Sequence, residues 1–228
     1  MEPRILERLH PLAEESYRKF SQSLIPDGLP LLGVRMGQLR RLAKELSREG
    51  WDPFARMSED TFHEETLLRA LAIAYAPVSE ERRIAMITAF LPRIDNWAVC
   101  DSMCTTFDRV DREPGMYLAL IERHRKDSHP YARRFSVVML LFHFLGREHL
   151  DQVMASLATT EQGHYYVDMA IAWAAATGYA KFPDTFGPWL ETIPFPRRTM
   201  MMTIGKIRDS RQVSPEAKAR AASWKHLL

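Results

Sequence analysis

A chain of 228 residues with 46% hydrophobic and 26% charged content is large enough for one sizeable folded domain or one repeat array, and its composition is not that of a disordered protein. The net charge of +2 does not by itself announce nucleic acid. Apolar runs such as Val137 to Leu141 fall far short of the roughly 20 residues that span a bilayer, and MEPRILERLH at the amino terminus carries charges where a secretory signal needs its apolar stretch. The expectation is a cytoplasmic protein with no membrane contact.

Alternating strand patterns are nearly absent, whereas 3.6-residue periodicity recurs throughout. In chain order the spacing predicts helices over 4–22, 36–48, 62–76, 80–91, 96–107, 114–125, 130–145, 148–158, 164–179, 184–192, 197–209 and 215–226. Caps are expected from Ser79 with Glu80 and Glu81 behind it, from Ser128 before His129 and Pro130, and from Ser214 before Pro215. Breaks are expected at Pro77, Pro92, Gly146, Gly178, Pro183 and between Pro194 and Pro196. The stretch SLIPDGLPLLGVR, Ser23 to Arg35, has two prolines and two glycines and reads as a loop. The fold class is all-α.

Apolar helices centred near Cys100, Met139, Ile171 and Ile204 are separated by 39, 32 and 33 residues, with a more amphipathic helix between successive members. A helix-pair period in the thirties predicts a right-handed-type α-solenoid of HEAT-like pairs, since the TPR consensus is not visible. The expectation is a single domain over 1–228, with one helix of each pair lining a concave, basic groove.

The two cysteines, Cys100 and Cys104, lie four apart on a predicted helix with no second pair to complete a zinc site, so they read as packed thiols and no metal or cofactor is expected. Charge is patterned rather than abundant. Acidic residues gather at helix starts, and arginines gather as pairs at 40–41, 82–83, 133–134 and 197–198, the ordinary reading of which is solvated helix faces.

Four of the inner helices interrupt apolar runs with polar or indole groups. NWAVCDSMC places Trp97 and Asp101 at i and i+4, on one face. Arg133 and Arg134 open the run FSVVMLLFHF, Trp173 sits among alanines in YYVDMAIAWAAATGY, and Lys206, Arg208 and Arg211 follow along RRTMMMTIGKIRDSR. Each has a structural alternative: the tryptophans as core, Asp101 as the partner of Arg134 in a structural bridge, Lys206 and Arg208 as surface charges. A carboxylate among Val99, Cys100, Met103 and Cys104 nonetheless requires compensation.

In these segments, LLGVRMGQLRRLAKEL (31–46), DNWAVCDSM (95–103), YARRFSVVML (131–140), YYVDMAIAWA (165–174) and KIRDSR (206–211), the chain resembles the bacterial DNA alkylation repair proteins of the AlkD type. The resemblance covers most of the chain, through the order and spacing of the segments rather than any one of them. It implies HEAT-like-repeat DNA glycosylases that remove cationic N3- or N7-alkylated purines from double-stranded DNA, without a cofactor, leaving the strand uncut.

The resemblance carries the family's Trp, Asp, Arg and second Trp onto Trp97, Asp101, Arg134 and Trp173, with Arg133 as the alternative to Arg134. It implies catalytic roles for Asp101, Trp97 and Trp173, and DNA contacts from Arg134 or Arg133, Lys206, Arg208 and Arg211. Family members that lack the Asp are thought not to excise bases, so its retention favours an active enzyme. The pattern departs near LLG, where an expected aromatic is not evident and Leu24 and Ile25 lie in that vicinity.

Chemically the assignment is coherent. A cationic purine leaves without an acid, so the enzyme needs a carboxylate near an oxocarbenium-like sugar, aromatic faces for the positive charge, and cations for the backbone phosphates. The expectation is a monomer in the bacterial cytosol, on the nucleoid when bound to DNA. The alternatives are a non-catalytic module for distorted or branched DNA and a HEAT-type protein-interaction scaffold.

Overall fold

The computed structural model describes residues 5–25 and 28–227, and among them it contains thirteen α-helices and no strand. The chain divides into two compact units, Met1–Tyr117 and Leu118–Leu228. The first holds α1 (Ile5–Leu9), α2 (Glu15–Leu24), α3 (Met36–Arg48), α4 (His63–Tyr75), α5 (Glu80–Phe90) and α6 (Trp97–Cys104), and the division falls inside α7 (Pro114–His124). The second holds α8 (Pro130–Met139), α9 (Leu150–Thr159), α10 (Tyr165–Lys181), α11 (Pro183–Thr192), α12 (Arg197–Asp209) and α13 (Pro215–Ser223).

Within the first unit α4 packs on α3 and α6; within the second α10 packs on α8 and α12. Contacts between alternate helices are what a stack of helix pairs requires. The stacked helices begin at residues 63 and 97 in one unit and at 130, 165 and 197 in the other, which is the expected period.

The central helices are buried nearly all round, and the charges they carry are compensated where they lie. All of α4 from His63 to Ala74 is buried, and its charges are compensated there. Arg69 pairs with Asp60 at 2.6 Å and donates to the carbonyls of Pro53 and Ala55. Glu65 reaches back to the backbone N–H groups of Thr61 and Phe62. Arg83, the buried member of the 82–83 pair, covers the last carbonyls of α4 by donating to Ile73, Ala74 and Ala76.

Two of the expected caps are present. Ser79 accepts the N–H of Arg82 at 3.4 Å and Ser214 that of Ala217 at 3.2 Å. Ser128 is not the third: His129 occupies the cap position of α8, and Asp127 accepts the His129 N–H at 2.9 Å.

Three other expectations need correcting. The helix drawn over 4–22 is two helices, because Pro11 offers no N–H and Ala13 turns extended; Arg4 lies outside the described residues. The helix drawn over 130–145 keeps α geometry only to Met139 and continues as one π-turn, Leu140–Phe144. Gly178 does not end α10. It is there for space, since a Cβ would lie 2.3 Å from the ring of Phe186. The loop after α2 is irregular as expected, with Pro26 and Asp27 outside the described residues.

Candidate functional site

Asn96 starts α6. Its Oδ1 accepts the N–H groups of Ala98 at 3.0 Å and Val99 at 3.1 Å, while its Nδ2 donates to Asp95 at 2.7 Å and faces Nδ1 of His63 at 3.2 Å. This cap fixes the rotation of a helix only two turns long. Val99, Cys100, Met103 and Cys104 then turn fully inward, each 0% exposed. Trp97 and Asp101 share the remaining face and stay half-buried. The carboxylate is therefore on the accessible side of a helix whose other side is core.

Trp97 is held from a distance in sequence. Its indole N–H donates to the carbonyl of Leu24, in the last turn of α2, at 3.1 Å, and its ring packs against Ile25, Leu31 and Ala98. The loop bearing Leu31 is itself fastened by Glu64. That buried carboxylate accepts the backbone N–H groups of Leu32 at 2.9 Å, Gly33 at 2.7 Å and Val34 at 3.2 Å. Only glycine suits position 33, where φ is +90° and a Cβ would lie 2.5 Å from the carbonyl oxygen of Glu14. His63 sits behind this wall; burial pushes its pKa down, and the nearby Glu64 and Asp95 carboxylates oppose the shift.

Beside Trp97 the first unit encloses a cavity of about 160 Å³, walled by Tyr17, Phe20 and Leu24 of α2, Leu31, Leu39 and the indole. Two aromatic side chains of this wall, Tyr17 and Phe20, come from α2 and not from the loop. The signal existed in the sequence: Tyr17, Phe20, Ser21 and Leu24 recur at i, i+3, i+4 and i+7.

In the second unit the predicted residues separate by role. Arg133 forms an ion pair with Glu161 at 3.1 Å. Arg134, 4% exposed, donates to the carbonyl of Tyr166. Trp173 and Lys206 line one cavity of about 510 Å³, together with Thr177, Asp209, Ser210 and Gln212. Burial, and secondarily the charge of Arg134, pull the Lys206 ammonium below the usual lysine range, while Asp209 opposes this. Arg208 is exposed and bound to Asp209 at 2.9 Å, and Arg211 is exposed beyond the end of α12; neither lines that cavity.

Phe142, which sequence reasoning did not single out, completes this region. It is 45% exposed on the π-turn and meets Trp173 edge to face, with centroids 5.4 Å apart and ring planes at 81°. The first unit thus offers an accessible carboxylate and an indole on one helix face. The second offers an indole, a neighbouring phenyl edge and a desolvated ammonium. The former suits a developing cation, the latter an aromatic ring carried next to an anion. Among the described residues, no group of three or more His, Cys, Asp or Glu side chains could hold a metal ion, and no helix is long and apolar enough to cross a membrane.

A family model described as DNA alkylation repair enzyme matches residues 5–194 of the chain. That span takes in Trp97, Asp101, Arg133, Arg134 and Trp173 and stops short of Lys206, Arg208 and Arg211. No match was found among curated proteins.

Proposed function

Since the chain belongs to the DNA alkylation repair enzyme family, we propose that it is a DNA glycosylase, hydrolysing the N-glycosidic bond of cationic N3- and N7-alkylated purines in duplex DNA without cutting the strand. The observation that carries this reading is Asp101 half-buried on α6, on the same face as Trp97, while Val99, Cys100, Met103 and Cys104 are fully buried. A carboxylate used only to hold the core together would serve equally well inside it. Its half-buried position on the face that carries Trp97 supports a role toward a ligand.

An N3- or N7-alkylated purine already carries positive charge, so its bond to C1′ breaks with the electron pair going to the base, which leaves neutral. The sugar is left oxocarbenium-like. Asp101 stabilises that cation and takes the proton of the water that adds to C1′. The indole face of Trp97, beside Asp101, attracts positive charge by about 0.5–2 kcal/mol depending on desolvation, and Trp173 offers a second such face in the other unit. Attraction that grows as charge moves to the sugar lowers the barrier rather than merely tightening binding. Lys206, which lines the cavity beside Trp173, is the cation assigned here to a backbone phosphate. Arg134, bonded to the Tyr166 carbonyl and close enough to depress the lysine's pKa, adds positive potential behind it.

The test is release of 7-methylguanine from methylated duplex DNA. The parent should liberate the free base and leave abasic sites that break only on later treatment with alkali. Tight, salt-dependent DNA binding with no base released would overturn the enzymatic reading in favour of a DNA-binding role.

A further inference from the structure

We propose that Phe142 is a positioning residue: it holds the indole of Trp173 at one angle, with a ring face open to positive charge in the substrate. The inference rests on the glycosylase reading and gives a role to a residue that reading does not use.

The first argument is what Trp173 lacks. The indole of Trp97 is fixed by the Leu24 carbonyl, which accepts its N–H at 3.1 Å. The indole N–H of Trp173 makes no hydrogen bond among the described residues. Its neighbours on α10 are Ala172, Ala174, Ala175 and Ala176, all buried. Methyl groups are too short to hold an adjacent ring at one angle. Phe142 is the ring that meets it.

The second argument is the position of Phe142 itself. Every residue from Tyr131 to Leu141 is buried, and Phe142 is the first to emerge. It does so on the π-turn Leu140–Phe144, a geometry that recurs at functional sites. A phenyl ring left 45% exposed forgoes burial that its neighbours Leu141 and Phe144 obtain. Core filling does not account for it.

The third argument is geometry. The two ring planes stand at 81° with centroids 5.4 Å apart, the edge-to-face arrangement that aromatic pairs favour. Whichever ring presents its edge, the phenyl covers at most one face of the indole. Trp173 also lines the cavity of about 510 Å³ that it shares with Lys206, so the ring borders open space. A cation is attracted by the face of an aromatic ring and repelled by its edge. An indole free to swing would lose in some orientations what it contributes in others. Fixing the angle in advance keeps the face available.

The experiment removes the phenyl ring with and without its partner. Phe142→Leu and Phe142→Met keep apolar bulk, so one decides if the other fails to fold, and Phe142→Tyr keeps the ring. Single-turnover release of 7-methylguanine from duplex DNA should slow about 3- to 10-fold in the first two, the scale of one aromatic pair. The tyrosine variant should stay within about twofold of the parent. Affinity for the duplex and its salt dependence should not change, because a phenyl ring releases no counterion. In a Trp173→Ala background, Phe142→Leu should cost less than about twofold, since a residue acting through the indole has nothing left to position.

A readout independent of catalysis comes from the five tryptophans, whose indole N–H resonances are counted by NMR. The Trp173 signal, identified by its absence in Trp173→Ala, should shift in Phe142→Leu while the other four stay in place. An unchanged rate or an unmoved Trp173 signal in a folded variant overturns the inference. So does a tyrosine variant as slow as the leucine one, an equal loss with and without Trp173, or a fall in affinity that matches the fall in rate. A parent that releases no base overturns the glycosylase reading, and the role of Phe142 in it.

Discussion

Glu64 accepts the backbone N–H of Gly33 at 2.7 Å, tying the first turn of α4 to the loop that enters α3 across 31 residues of sequence. Because the same carboxylate also serves Leu32 and Val34, its loss would strand three backbone donors. Glu64→Ala should therefore destabilise the protein by about 3 kcal/mol, from the range for buried hydrogen bonds to charged groups and unsatisfied donors. Urea and thermal melts would measure it, and at this chain length the melting temperature should drop by roughly 6–12 °C. A loss below about 1 kcal/mol would mean that water replaces the carboxylate.

Asp101→Asn keeps the shape of α6 and removes the charge. Base release should fall at least about 100-fold, the scale of losing a positioned base or an electrostatic contact to a transition state. The melting temperature should stay within about 3 °C, because the residue is half-buried rather than core. Single-turnover release of 7-methylguanine beside a thermal melt is the measurement. Activity within a few-fold of the parent would make Asp101 a structural residue.

Lys206 and Trp173 line one cavity and should fail differently. Lys206→Met should reduce the slope of log affinity against log salt by about 0.9, the contribution of one phosphate contact. Trp173→Ala should leave that slope unchanged and slow excision of a cationic lesion more than of a neutral one, by about 2- to 30-fold for 0.5–2 kcal/mol of cation–π attraction. A salt series and single-turnover rates for both variants test this; identical profiles would show that the roles are divided wrongly. Arg134→Ala should weaken the fold as well as DNA binding, since it removes the donor to Tyr166.

His63 gives stability a definite dependence on acid. Burial lowers its pKa in the folded protein, so below the ordinary value of 6.5 the unfolded chain binds a proton that the folded chain refuses. The stabilisation is complete above pH 6.5 and is lost progressively as pH falls from there towards the depressed folded value. His63→Gln, compared with the parent in urea melts from pH 8 to pH 5, should remove this part of the slope. Parallel curves would show that His63 titrates alike in both states.

The features readable from the sequence were those with local causes. Helix starts marked by Ser79, Ser214 and Pro130 fell close to where they were expected, because a cap or a ring constraint acts within one turn. Gly178 was misread for the opposite reason. Glycine can signal either a break or a close approach, and Phe186 decides between them through packing. Ser128 does not cap α8 because the helix starts one residue later than a serine cap requires, with His129 in the cap position.

The candidate site divides the same way. Trp97 and Asp101 could be paired by counting along one helix. The Leu24 carbonyl that holds the indole lies 73 residues away, and nothing in the local pattern of α6 points to it. The side chains of α2 were legible as a stripe, but a stripe does not say what it covers. Phe142 was hidden by the change from α to π geometry, which shifts the face a residue presents.

The burial of Cys100 and Cys104 bears on survival in the presence of the damaging reagents themselves. Electrophiles that alkylate the ring nitrogens of DNA attack thiolates more readily still, and a repair protein must work while they are present. Both sulfur-bearing side chains have 0% exposure on the inward face of the helix that carries Trp97 and Asp101. The rotation of α6 that turns the carboxylate outward therefore turns the chain's softest nucleophiles inward, shielding the protein from the injury its family repairs.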